Sequence, residues 1–373
     1  MNGKQQLRIG IVGAAGRPRA FKQAIADHPR ATVAALCDVT EERLRQASAH
    51  FGAYPAYLSY ETMLEEAELD AVIVGTPMQV HVEQTLLALK RGLHVISEVP
   101  AGVSVEECRR LVRAASRSKG QYVMAENCNY MKPHMTIANM VRDGLFGELY
   151  YAEGEYLHEV KALNESTPWR RVWQTGVNGI TYGTHSLGPI LDWMDGDRIA
   201  KVSCVGSGRH YADSAGRPYA IEDSCVMTAK TEAGRLIQIR LDMLSERPGA
   251  LNYELQGTRG CYESVRYELL GSGKVYVKRD GEPKREWADL AEVGEAYVPD
   301  IWRGLPEAVV GESGHGGSDY VMVTDFLNAL TEHKPSPIPI HRALDMTLPG
   351  LISQRSIERG GEWLDVPDSR TWE

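Results

Sequence analysis

Five apolar runs rich in β-branched residues recur through the first third of the chain: LRIGIVG (7–13), ATVAALCD (31–38), AVIVGTP (71–77), HVISEVP (94–100) and QYVMAEN (121–127). Most are separated by charged stretches of helical period, such as EERLRQASAH and VEECRRLVRAASRS. A strand that is apolar on both faces must be covered on both faces. That requirement selects a parallel sheet with right-handed helical crossovers. The sequence therefore predicts a doubly wound α/β domain over residues 1–126.

After residue 126 the pattern changes. Longer alternating segments, including ELYYAEGEYLHEV, CVMTAKTEAGRLIQIRLDML and NYELQGTRGCYESVRY, are separated by glycine-containing turns. This predicts an α+β domain over 127–373 with a large, mostly antiparallel open sheet. Residues 279–318 read as a long loop and a candidate lid. Two helices, 320–332 and 342–359, are expected to close the chain, the C-terminal one packing back on the first domain.

Composition bounds the function. A chain of 373 residues suits two domains, and 43% hydrophobic with 24% charged residues describes a water-soluble protein able to bury a core. The formal charge is −9 and no Lys/Arg cluster stands out, so neither nucleic acid nor a membrane surface is an expected partner. Cys37, Cys108, Cys128, Cys204, Cys225 and Cys261 are scattered with no C-x-x-C pairing, which fits reduced thiols in a cytoplasmic protein. The opening IGIVGAAG is cut off at once by RPR and does not resemble a secretion signal. The eleven histidines are dispersed, and no metal site is expected.

The turn after the first run is Gly13-Ala14-Ala15-Gly16-Arg17-Pro18. It departs from the G-x-G-x-x-G dinucleotide fingerprint of Rossmann domains at Ala15 and Pro18. Gly13 can make the tight turn and Gly16 can absorb the contortion that Ala15 adds. Pro18 suits a first helical turn, where its missing N–H is no loss. The second run ends in Asp38, placed to accept ribose hydroxyl bonds and to repel a 2′-phosphate. NAD is the expected cofactor ahead of NADP, although Arg43 and Arg45 lie nearby.

Three further motifs carry a family resemblance: Thr76-Pro77-Met78-Gln79-Val80-His81, Gly92-Leu93-His94-Val95 and Glu98-Val99-Pro100. They resemble the T-P-N-x-x-H, G-K-H-V and E-K-P motifs of the Gfo/Idh/MocA oxidoreductases. The resemblance spans the chain. It implies a Rossmann domain and an α/β domain whose open sheet mediates homo-oligomerisation, with the active site between them. Cofactor contacts are expected from Gly13, Ala15, Gly16, Arg17, Asp38, Thr76, Pro77, His81, Glu98 and Pro100. Glu98 would meet the nicotinamide ribose, and His81 would cap or pack near the cofactor.

Two departures point to other chemistry. The lysine of E-K-P, the proton relay of ordinary sugar dehydrogenases in this family, is Val99, and the acid of H-x-x-D is Gly188. AENCNYM (125–131), GLFGELYYAEGEYLHEV (144–160), PWRRVWQ (168–174) and YGTHSLGP (182–189) are similar instead to the NAD-dependent glycosidases of the superfamily, typified by bacterial α-N-acetylgalactosaminidases, which also carry E-V-P. That resemblance implies functional positions at Glu126, Tyr156, His158, Tyr182 and His185. Trp169, Arg170, Arg171 and Trp173 are candidates to line a sugar site or to form a packed aromatic corner.

The chemistry it implies is redox-neutral. Oxidation of the sugar at C3 acidifies the C2 proton, the C1 aglycone is eliminated, water adds and the hydride returns. Such a cycle needs bases for the C3 hydroxyl and the C2 proton, and a donor to the leaving oxygen. Tyr156 and His158, two apart on a strand, share a face, as do Tyr182 and His185, three apart at a helix start. A net sugar or polyol dehydrogenase is the alternative reading, and a non-catalytic NAD-binding sensor the second.

Overall fold

The structure, a computed structural model, describes residues 6–267, 271–278, 281 and 285–372. It forms two compact units that do not part at a single point in the sequence. Residues up to Asn127 are joined in the first unit by Leu305–Leu344 and Asp368–Glu373, and Cys128–Gly304 with Asp345–Pro367 form the second.

The first unit is built on six parallel strands, β1 (Leu7–Val12), β2 (Ala31–Cys37), β3 (Ala56–Tyr57), β4 (Ala71–Val74), β5 (His94–Ser97) and β6 (Tyr122–Met124), in the order β3-β2-β1-β4-β5-β6. Ile9, Ile11, Val72, Ile73 and Val74 are fully buried, as strands covered on both faces require. The flanking helices start where a short polar side chain can satisfy an orphan N–H. Thr40 caps Glu41–Phe51 and Ser104 caps Val105–Arg117. The strand order reverses between β1 and β4, so their carboxyl ends mark the crevice where open α/β sheets bind ligands.

Close packing at that crevice is achieved in an unexpected way. The third fingerprint glycine is Pro18, the second residue of the short 3-10 helix Arg17–Phe21. The space comes from the other side: a methyl group on Gly75, just after β4, would lie 2.1 Å from Pro18 Cγ.

The returning segment corrects the loop expected over 279–318. Residues 279–280 and 282–284 lie outside the described residues, but the rest carries short elements, including helices Leu290–Val293 and Glu307–Glu312. Helix Ser318–Thr331 buries Val321, Val323, Phe326 and Leu327 in the first unit. Tyr320 donates to Asp27 (3.2 Å), and Asn328 Oδ1 lies 3.3 Å from His28 Nε2. In its first turn Asp319, fully buried, takes both Arg17 amino groups at 2.8 and 2.5 Å, Asn127 at 3.1 Å and the His315 ring at 3.0 Å. Burial works to raise the Asp319 pKa, but His315 and Arg17 outweigh it and hold the carboxyl at about 2.

The second unit is a nine-stranded sheet of β7 (Leu149–Leu157), β8 (Ile199–Gly206), β9 (Ser224–Thr231), β10 (Leu236–Asp242), β11 (Ala250–Gly257), β12 (Gly260–Glu263), β13 (Lys274–Val277), β14 (Ala288–Asp289) and β15 (Leu364–Asp365). The order is β14-β13-β12-β11-β7-β10-β9-β8-β15, antiparallel throughout except where β7 meets β10. Helix Thr184–Trp193 lies across β7. Gly154 makes room for it, since a Cβ there would sit 2.9 Å from Ser186 Cβ and 3.0 Å from Ile190 Cδ1. Among the described residues no helix is long and apolar enough to cross a membrane.

Two outcomes are expected. Gly75→Ala, by driving a methyl group into the Pro18 ring, should cost about 1–3 kcal/mol in denaturant unfolding; an unchanged midpoint would mean that the turn does not depend on this contact. Because the folded pKa of Asp319 lies below the unfolded value, its stabilisation is present above about pH 4 and lost as the pH falls through about 2. The stability advantage of the wild type over Asp319→Asn should therefore shrink by about 2 kcal/mol across that window, and a constant difference would contradict the assignment.

Candidate functional site

In the first unit the turn after β1 is held from three sides. Gly13 adopts φ +76°, and a Cβ on it would meet the Gly75 carbonyl at 2.6 Å. Its N–H and that of Ala14 donate to the Cys37 carbonyl at 3.0 and 3.2 Å, and Gly16 N–H closes back on the Gly13 carbonyl at 2.9 Å. Asp38, 3% exposed at the end of β2, accepts from Ala15 N–H (2.9 Å), Val39 N–H (2.9 Å) and Arg43 Nε (2.6 Å). Its carboxylate thus already fixes the turn from which ribose recognition is expected. Three bonds leave part of the roughly four acceptor positions of a carboxylate for a ligand.

The neighbouring strand ends are tied together by His81. This buried ring spans the Thr76 carbonyl (2.8 Å) and the Pro100 carbonyl (3.2 Å), and burial pushes its pKa down. Its place is that of a strap between the Thr76-Pro77 and Val99-Pro100 turns. Thr76 donates to Gln84 at 2.6 Å. Glu98, 7% exposed, hangs on the Val74 carbonyl through its own N–H (2.9 Å) and faces Arg17 Nε at 3.3 Å. Glu126, just past β6, is fully buried, its N–H on the Met124 carbonyl at 2.9 Å. A left-handed glycine turn that a Cβ would fill, set at the strand-order reversal, fits a dinucleotide diphosphate.

In the second unit four of the expected residues form one aromatic cluster. The Tyr156 and His185 rings are 5.1 Å apart, Tyr182 and His185 4.8 Å, and Tyr156 and Tyr182 5.6 Å. Tyr156 Oη lies 2.9 Å from His158 Nδ1. Two details differ from expectation. His158 lies one residue beyond β7 and is exposed, and Tyr182 lies two residues ahead of helix Thr184–Trp193 instead of within it. The pairs meet all the same, because Gly154 lets the helix approach the strand. His185, 8% exposed, is fixed through its carbonyl, which accepts from Tyr253 Oη at 2.7 Å. Burial pushes the Tyr156 phenol above its ordinary pKa, while His185 and Arg170 pull it back.

Helix Pro168–Trp173 splits its side chains. Arg170 stacks over Trp169 at 4.5 Å and donates to Gln174 at 3.0 Å. Its Nε is buried without a hydrogen-bond partner among the described residues. Arg171 turns the other way, donating to the Pro218 carbonyl at 2.7 Å and stacking on Tyr219 at 4.4 Å, so it anchors the 213–219 turn and does not line the cluster. Trp173 is exposed at the helix end. Tyr253 and Asp319 are supports outside the quoted motifs, and Asn127 and Gly75 lie within AENCNYM and AVIVGTP with no support role assigned to them there. For Asp319 the local signal is the glycine-rich GHGGSD (314–319).

Comparison with known proteins agrees with both halves. Residues 7–126 match the oxidoreductase family, NAD-binding Rossmann fold, and residues 130–372 match the glycosyl hydrolase 109, C-terminal domain. A glycosyl hydrolase family 109 protein of Saccharopolyspora erythraea is 30% identical, over 98% of this chain and 83% of its own. An alpha-N-acetylgalactosaminidase of Shewanella oneidensis is 28% identical, over 97% and 84%. A levoglucosan dehydrogenase solved with NADH and levoglucosan shares the fold, with a TM-score of 0.80 at 19% identity, over 98% of this chain and all of that one. The chain belongs to glycosyl hydrolase family 109, built on the NAD-binding fold of the Gfo/Idh/MocA oxidoreductases, and is an NAD-dependent enzyme.

Proposed function

We propose that the protein cleaves a glycoside by the redox-neutral route, with an N-acetylated amino-sugar glycoside as the first substrate class to try. The observation that carries this reading is the Tyr156–His158–Tyr182–His185 cluster, whose two phenol–imidazole pairs offer groups for the three proton transfers of the cycle, at the C3 hydroxyl, at C2 and at the leaving oxygen. Val99 in place of the relay lysine argues in the same direction.

Bound NAD supplies hydride acceptance at C3 and its return. The residues of the chain divide the proton work. The Tyr156 phenol, its pKa raised by burial, stays protonated at neutral pH and serves as a donor to an oxygen that gains charge, with exposed His158 relaying to solvent. The His185 imidazole, on a backbone whose carbonyl Tyr253 holds, suits removal of the acidified C2 proton. Tyr182, beside it, takes the C3 hydroxyl proton as the hydride leaves and returns it when the hydride comes back. The buried, unpartnered Arg170 Nε supports a substrate oxygen at that point, with Trp169 beneath. Glu126, Trp173 and the cofactor contacts named for the first unit are part of the same proposal.

The Asp38 carboxylate supports NAD over NADP. Six free cysteines, five of them buried, support a cytoplasmic setting, and the open sheet supports homo-oligomerisation. The second reading, a net sugar dehydrogenase, is favoured by the fold shared with levoglucosan dehydrogenase.

Chromogenic α- and β-glycosides, N-acetylgalactosaminides first, separate the two readings when aglycone release and NADH absorbance are followed together. Release over many turnovers without NADH accumulation is expected; NADH formation without cleavage would make the protein a dehydrogenase. His185→Ala should lower turnover by roughly 10²-fold or more while NAD affinity holds. Unchanged turnover would remove His185 from the chemistry.

A further inference from the structure

The 3-10 helix that follows the cofactor turn is gripped by a residue 302 positions away. Arg17, its first residue, gives both terminal nitrogens to the Asp319 carboxylate, Nη1 to Oδ2 at 2.8 Å and Nη2 to Oδ1 at 2.5 Å, while its Nε faces Glu98 at 3.3 Å and its plane lies over Phe21. We propose that Asp319 is a positioning residue for the cofactor: from the returning segment it sets the Arg17 guanidinium, and through it the Glu98 carboxylate, beside the Gly13–Gly16 turn.

Asp319 is itself closely constrained. It is fully buried, with Asn127 at 3.1 Å and the His315 ring at 3.0 Å on its oxygens. The approach to it runs through three successive left-handed residues, His315 (φ 54°), Gly316 (φ 64°) and Gly317 (φ 93°). For a histidine that backbone is strained, and it persists only where its surroundings demand it. Gly314 admits no side chain at all, because a Cβ there would lie 2.0 Å from Asp319 Oδ2. The whole GHGGSD turn is shaped around one carboxylate.

Docking of the segment does not account for this. Helix Ser318–Thr331 already has Val321, Val323, Phe326 and Leu327 buried, and polar contacts from Tyr320 and Asn328. A buried ion pair adds little net stability over an apolar contact of the same shape. What it does provide is geometry: a planar fork locked two-to-two on a fixed carboxylate removes the rotamer freedom of an arginine that is 29% exposed. That restriction falls on the first side chain after the turn where the dinucleotide diphosphate is expected.

The inference rests on NAD binding by the first unit and is tested on the full chain. NAD affinity is measured by titration calorimetry for the wild type, Arg17→Gln, Arg17→Lys, Asp319→Asn and the Arg17→Gln/Asp319→Asn double variant. Asp319→Asn should weaken NAD binding about tenfold or more, and the double variant should bind like Arg17→Gln alone, because the second change acts only through the first. Arg17→Lys, which keeps the charge and loses the fork, should lose about as much as Arg17→Gln. Fold-losses that multiply, or an Asp319→Asn affinity within about twofold of wild type, would overturn the proposal. Should Asp319→Asn fail to fold, Arg17→Lys decides alone, and an affinity within about twofold of wild type overturns it. A wild type that bound no NAD would remove the cofactor reading as well; a wild type that binds, with variants unaffected, removes only this inference.

Discussion

Two strand ends meet at the cofactor turn with no room for a side chain between them, and the first unit is organised around that contact. Gly13 turns left-handed against the Gly75 carbonyl, and Gly75 in turn lies under the Pro18 ring. The tight approach of helix to strand, supplied by a third glycine in the standard fingerprint, is here supplied by Gly75 on the opposite strand. With β1 and β4 brought this close, Asp38 can reach Ala15 N–H, His81 can strap the two neighbouring turns, and Glu98 can face Arg17. The loss of the third fingerprint glycine is therefore a relocation of the same steric requirement.

The second unit solves a similar problem at Gly154. A strand that alternates Ala152, Gly154 and Tyr156 toward one helix leaves a flat site in the middle, and helix Thr184–Trp193 settles into it. That approach brings the His185 ring within 5.1 Å of Tyr156. Tyr253 then fixes His185 from the neighbouring strand β11. The chemistry proposed for the cluster depends on differences in environment among similar groups. Burial raises the Tyr156 phenol so that it keeps its proton, against the opposing pull of His185 and Arg170.

Much of this was legible in the sequence because it is local. The five apolar runs of the first third appear as strands β1, β2, β4, β5 and β6, and the helices expected over 320–332 and 342–359 appear as Ser318–Thr331 and Ile340–Glu358. Tyr156 and His185 are named by the family motifs, and spacing adds only that each shares a face with its partner in sequence. What stayed hidden depends on partners far along the chain. Nothing near Arg17 announces Asp319, and nothing near His185 announces Tyr253. Arg170 and Arg171 look alike in sequence, but one helical step sends the first toward Tyr156 and the second to the 213–219 turn. The segment 279–318 reads as a loop because glycine and proline break it often. One of its short helices, Leu290–Val293, is anchored by the buried Leu290, which composition does not record.

The central claim is that a glycosidic bond is broken through a carbanion-forming step at C2 and not by paired carboxylates. Running the cleavage in D2O and reading the released sugar by proton NMR tests it directly. The account predicts one deuterium at C2, delivered from solvent when water adds across the enone, and retention of protium at C3, where the original hydride is returned. Release of a sugar with protium at both carbons would contradict it, since no C2 proton would then have left.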